Sequence, residues 1–202
     1  MNSLLSKMAP SATSMLRMDH THVLATFHQY EMDSSLRAKK ALADTICLSL
    51  EIHAQIEEEI FYPAMRSTDP QQIDKSYPEH AEMKRLITQL RTMDAASAEF
   101  DDIFMQLMRS VIHHVADEET ILFPDAERLL GSERLGELGA QMTKRRLELS
   151  APRAGEMAMN TVRGMPASTM IMAAGALLAG TYLVTHAVRR PGWAGSKPRY
   201  MG

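Results

Sequence analysis

The sequence predicts an all-α protein: an antiparallel, up-down-up-down four-helix bundle, then a further C-terminal helix and a hydrophobic tail helix. Three observations predict it. From Met15 to about Leu149, Gly and Pro are sparse and no run alternates apolar and polar residues with a period of two. Apolar residues there recur at spacings of three and four. The chain holds 17 Met but only 5% aromatic residues, a composition that suits helical cores packed with flexible side chains. Its 202 residues suffice for one core-bearing domain with an appendage.

Residues 1–13 read as a flexible N-terminus. Helix A is expected over about 14–32, and helix B over about 34–65, ending before the breaker Ser67-Thr68-Asp69-Pro70. Helix C is expected from about Ser76, with Pro78 in its first turn, to about Asp94. Helix D runs from about Ala98 to Leu130 and stops at Gly131. The bundle therefore spans 14–131, and Ser132 caps an additional helix over 132–150. Short connections favour antiparallel neighbours. Pro152, Gly155 and Gly164 mark 151–166 as a linker. Residues 167–188 carry no Asp, Glu, Lys or Arg, enough for one membrane-spanning helix, and 189–202 form a basic tail. Small residues on one face of the tail helix, Ala176 and Gly180, offer a homo-oligomer contact. No secretory signal is evident, so the expected location is a membrane, by a single-pass C-terminal anchor, with the bundle in the cytoplasm.

Composition narrows the chemistry. The net charge of −3 and a pI of about 6.2 argue against a nucleic-acid partner. The single cysteine, Cys47, excludes an intrachain disulfide and a Cys-built zinc or iron–sulfur site.

Each bundle helix carries a histidine on its inward stripe. Helix A reads Leu16, His20, Val23, Phe27, Tyr30; helix B reads Leu42, Ile46, Leu50 or Ser49, His53, Glu57, Ile60. Helix C reads Tyr77, His80, Met83, Ile87, Leu90; helix D reads Phe100, Phe104, Leu107, Val111, His114, Glu118, Ile121. Glu57 and Glu118 stand one turn after their histidines. Residues four apart differ by about 40° around the axis and about 6 Å along it, so both side chains reach one small volume. Unpaired carboxylates in a core cost several kcal/mol, and bound cations between the helices account for them. The candidate metal ligands are His20, His53, Glu57, His80, His114 and Glu118. Imidazole and carboxylate without thiolate suit non-haem iron, with manganese or zinc as alternatives. Glu58, Glu59, Asp117 and Glu119 read as a solvated acidic face, and His22 and His113 as surface residues. The segment His53–Pro63 is echoed by His114–Pro124, both reading His-x3-Glu-Glu-x-Ile-x-aromatic-Pro. Two copies on two helices predict a two-fold-like site with one half from each.

Asp19-His20, His53-x3-Glu57, Glu79-His80 and His114-x3-Glu118 resemble the hemerythrin-like, HHE cation-binding family over about residues 14–130. The resemblance implies a four-helix bundle with two non-haem iron ions, His20, His53, His80 and His114 as terminal ligands, and Glu57 and Glu118 as bridges. It implies O2, another small diatomic or peroxide as the ligand. Oxygen-carrying members have two histidines four apart on the third helix; here Ser76 and Lys84 flank His80 at that spacing. Tyr77, three positions before His80, could approach that gap, although packing in the core is the plainer role for it. The function expected is a di-iron protein that binds or senses O2 or a related small molecule, held at a membrane by its tail. The alternatives are a di-iron enzyme handling peroxide or nitric oxide or donating iron, and a metal-free helical membrane adaptor.

Overall fold

The computed structural model describes residues 9–164, and every regular element among them is helical. Helix α1, Ala12–Phe27, is capped by the Ser11 side chain, which accepts from the Ser14 N–H. Helix α2, Leu36–Ile56, is capped by Ser35. It passes through one π-helical turn, Glu57–Phe61, into the short α3, Tyr62–Met65. Helix α4 is Pro70–Thr92 and α5 is Phe100–Asp117. A second π-helical turn, Glu118–Leu122, leads into α6, Phe123–Ser150. A 3-10 turn, Ala151–Arg153, and α7, Ala154–Gly164, complete the described chain.

Several boundaries differ from the sequence reading. Helix α1 ends at Phe27, short of the expected residue 32. Helix α4 begins at Pro70, because Asp69 caps it through Gln72 N–H and Pro70 takes a first-turn position where a missing N–H costs nothing. Pro78 therefore lies inside α4, on its exposed side. Residues 151–164 are helical where a linker was expected. Pro152 and Gly155 sit at the starts of turns, and α7 docks through Glu156 on Arg91 and through the buried Asn160. Gly131, at φ 71° and ψ 167°, interrupts α6 in a conformation that favours glycine. The expected membrane helix 167–188 and basic tail lie outside the described residues; among the described ones no helix is long and apolar enough to cross a membrane.

Cross-helix pairs place the site. Lys40 bonds the Leu90 carbonyl while Lys84 bonds Glu58, so the pairs run in opposite order along α2 and α4. His80 lies against His114 and Lys75 against Asp117, which gives α4 and α5 the same relation. The apolar interior falls into two clusters. One gathers Leu16, Ile56, Phe61, Tyr62, Leu122 and Phe123; the other gathers Val23, Ile46, Leu50, Met83, Phe104 and Val111. His20, His53, His80 and His114 sit in sequence between members of the two, so a polar layer divides the core.

Both π-helical turns begin at the stripe glutamates and end just before the paired prolines. Tyr62 N–H reaches Glu57 carbonyl and Phe123 N–H reaches Glu118 carbonyl, five residues back. Pro63 and Pro124 have no N–H to give, and their rings crowd the preceding turn, so the helix widens there. The extra residue turns the downstream side chains about the helix axis. Phe61 and Leu122 are fully buried, whereas Ile60 is only half-buried and Ile121, read as inward, is 44% exposed. Tyr77 is likewise exposed, and Ser76 takes the inward position.

Candidate metal centre

The six candidate residues form a closed ring. Nε2 of His20 lies 3.3 Å from Nε2 of His53, which lies 3.1 Å from Oε2 of Glu57. That oxygen lies 3.3 Å from Nε2 of His80, which lies 3.1 Å from Nε2 of His114. Oε2 of Glu118 closes the ring, 3.5 Å from His114 and 3.3 Å from His20. All six side chains are buried. They fall into two groups of ligand-type atoms, His20, His53, Glu57 and Glu118 in one, Glu57, His80 and His114 in the other. Each glutamate faces histidines from both halves.

The outer nitrogen of each of the four ring histidines is held by a carboxylate from another helix. Nδ1 of His20 meets Glu119 at 2.9 Å and Nδ1 of His53 meets Asp19 at 3.3 Å. Nδ1 of His80 meets Glu58 at 2.9 Å and Nδ1 of His114 meets Glu79 at 2.9 Å. This corrects the reading of Glu58 and Glu119 as a solvated face. The residue after each stripe glutamate reaches the histidine of a neighbouring helix, as does the residue before His20 and before His80. Such carboxylates fix the ring orientation and leave Nε2 pointing inward as the donor. The signal was in the sequence: an acid stands directly before His20 and His80 and directly after Glu57 and Glu118.

Electrostatics shows what the ring lacks. Neither oxygen of Glu57, nor Oε2 of Glu118, receives a properly directed hydrogen bond. Burial opposes charge on His53, but Glu57 and Asp19 outweigh it and push its pKa up to about 10. Burial opposes charge on His80 too, and Glu57 and Glu58 push it up to about 9. Burial would raise Glu57, yet His53 and His80 hold it well below the usual carboxylate range. Without metal, protons stand where cations would.

Two further residues meet the ring. Tyr62 was missed in the sequence, although the echo pairs it with Phe123 as the one polar difference between the two aromatic positions. Its hydroxyl donates to Glu118 Oε1 at 2.8 Å and lies 3.0 Å from His80 Nε2. Phe123 instead stacks on His20, 5.5 Å between centroids and 10° between planes. Tyr77 only meets the edge of the Tyr62 ring, at 5.4 Å. On the other side, a cavity of about 20 Å³ is lined by all four histidines and by Val23, Leu50, Met83, Ile87, Val111 and Val115. Of the apolar stripe residues, Val23, Leu50, Met83, Ile87 and Val111 line it. His22, His28 and His113 are exposed. Cys47 is fully buried in the second apolar cluster, and burial pushes its thiol up to about 12.

The family model of the hemerythrin HHE cation binding domain matches residues 11–126, with a second, overlapping match over 72–176. The chain belongs to the hemerythrin HHE cation-binding family. Its domain is a metal-binding one, and the His/Glu ring is where this HHE domain gathers donors. Among solved structures, an HHE domain-containing protein from Mycobacterium kansasii shares the fold. Its TM-score is 0.60 at 20% identity, over 77% of this chain and 99% of that one. A curated relative from Nostoc sp. (strain PCC 7120 / SAG 25.82 / UTEX 2576), named a DNA nickase, is 34% identical over 124 residues. The match takes in 59% of this HHE chain and only 34% of that relative's length.

Proposed function

We propose that the chain is a non-haem di-iron protein whose centre binds O2 or another molecule of that size. The observation that carries this reading is the closed ring of four imidazoles and two carboxylates, with edges of 3.1–3.5 Å and three of the four carboxylate oxygens without a hydrogen bond. Two neighbouring donors on one metal stand about 3 Å apart when bonds are about 2.0–2.2 Å. The ring has that spacing throughout. His20 and His53 would hold one ion, His80 and His114 the other, with Glu57 and Glu118 shared. Hard oxygen and borderline nitrogen donors with no thiolate suit iron.

Iron bound there supplies redox-active open coordination. The protein supplies the rest. Asp19, Glu58, Glu79 and Glu119 aim the imidazoles. The apolar side chains around the cavity exclude bulk water, and its volume of about 20 Å³ admits one water-sized molecule. Donors this buried are out of reach of a DNA strand.

The test is to load the full chain with iron, reduce it without air, then admit oxygen. An oxygen-dependent visible absorption that reverses on evacuation is expected. A spectrum indifferent to oxygen contradicts the reading. A second reading, turnover of peroxide or nitric oxide at the same centre, is favoured by Ser76 and Lys84 flanking His80, which leave that half two imidazoles. Sustained peroxide consumption would select it.

A further inference from the structure

Tyr62 and Phe123 stand nine residues after His53 and His114, both just beyond a π-helical turn and both fully buried. Each ring lies against the histidine of a neighbouring helix, Tyr62 on His80 at 5.2 Å and Phe123 on His20 at 5.5 Å. The two halves of the centre are thus built alike except for one oxygen. That oxygen lies 3.0 Å from His80 Nε2 and 2.8 Å from Glu118 Oε1. Nδ1 of His80 is already engaged by Glu58, so its Nε2 is the metal-facing atom. The two spacings are shorter than the ring's own edges and close to the separation of about 3 Å expected for donors sharing a metal.

Space for the phenol comes from α4. Ser76, one turn before His80, is buried and small, stands close to the Tyr62 phenol, and donates its own hydroxyl to the Gln72 carbonyl at 3.0 Å. A longer side chain at 76 would compete with the phenol for the side of His80. The cavity of about 20 Å³ is not lined by Tyr62, so a phenol ligand leaves it open.

We propose that Tyr62 is a metal ligand: its phenol oxygen gives the His80–His114 half of the centre a donor that the His20–His53 half lacks. This rests on the di-iron reading. The phenol proton leaves to solvent as the metal enters, and the oxygen bonds the metal in its place. One ion then has a phenolate, which favours the ferric state, and the two positions are chemically unequal.

The experiment uses full-length wild type, Y62F and the double variant Y30F/Y77F, each loaded with ferric iron. Iron per chain is measured, and resonance Raman spectra are taken under visible excitation. Expected are two irons in wild type, with enhanced tyrosinate ring vibrations in wild type and Y30F/Y77F and none in Y62F. Iron-loaded wild type without those vibrations overturns the proposal, as does a Y62F protein that keeps them. Should Y62F not fold, the variant Y30F/Y77F/Y182F/Y200F, which keeps Tyr62 alone of the chain's five tyrosines, decides the matter: the vibrations persist if Tyr62 is the ligand, and their loss overturns the proposal. Wild type that takes up no iron is a different failure, that of the di-iron reading itself.

Discussion

The carboxylate of Glu79, on α4, lies 2.9 Å from Nδ1 of His114, on α5. Its neighbour in the chain, His80, points the other way, into the ring. One dipeptide thus supplies a donor to the centre and aims another donor. Asp19-His20 does the same on α1, with Asp19 on His53. His114 also keeps Glu79 below the usual carboxylate range, the largest effect on it, against the opposing effect of burial.

Replacing Glu79 with Gln keeps the shape but removes the charge that orients His114. Loss of such a partner typically weakens metal binding about 10–100-fold. Competition with a chelator measures it, and the fold, followed by far-UV circular dichroism, is expected to be unchanged. Affinity equal to wild type would show that His114 needs no aiming.

Removing one member of the buried ring differs from removing a pair. In H53L, Glu57 loses its 3.1 Å neighbour and keeps His80 alone. A buried charge stripped of its partner costs about 3–5 kcal/mol. The double variant H53L/E57L replaces both with apolar groups and is expected to recover most of that loss. Both variants lose metal. Denaturant unfolding of the metal-free proteins checks the order of stability, and a double variant weaker than H53L would contradict it.

Protonation sets a pH dependence. An imidazole in the unfolded chain titrates near 6.5, whereas His53 is held up at about 10 and His80 at about 9 in the folded metal-free protein. Both raised values mean protons bound on folding. Their stabilisation is complete below about pH 6.5 and is lost as pH rises through 9 and 10. Metal must displace those protons, so its affinity rises over the same interval, approaching about two decades per pH unit for two protons. Thermal unfolding between pH 6 and 10 is expected to show the metal-free midpoint falling and the gap to the metal-loaded midpoint widening. A metal-free midpoint that rises with pH would contradict the assignment.

Gly139 fastens α6 to the start of α1. A Cβ there would stand 2.0 Å from the Pro10 carbonyl oxygen and 2.9 Å from the Ala12 nitrogen. G139A is expected to cost about 1–3 kcal/mol by overpacking, or several degrees of midpoint. G136A meets nothing within 4 Å and is expected to be neutral or slightly stabilising. Equal midpoints for the two variants would show that the contact is dispensable.

The convergence of His20, His53, Glu57, His80, His114 and Glu118 was legible because a 3.6-residue period survives intact up to each glutamate. Beyond that point the period fails. The π-helical turn inserts a residue, so Phe61 and Leu122 replace Ile60 and Ile121 inside. Tyr62 was hidden by the same shift, since a regular wheel gives no reason to aim it at His80. Glu58 and Glu119 look solvated on a single helix and acquire a role only when the neighbouring helix brings its histidine within reach. Pro70 and Pro152 read as breaks because a proline ends one helix and starts the next with equal ease. Only the local cap, Asp69 on the Gln72 N–H in the first case, decides which.

On the di-iron reading, the ring of four histidines and two glutamates holds a pair of iron ions. Metal analysis of the full chain after expression with added iron tests it most directly, beside a variant in which Glu57 and Glu118 are both Ala. Close to two irons per wild-type chain and almost none in the variant are expected. Wild-type protein without iron, or a variant that retains it in full, would rule out a di-iron ring.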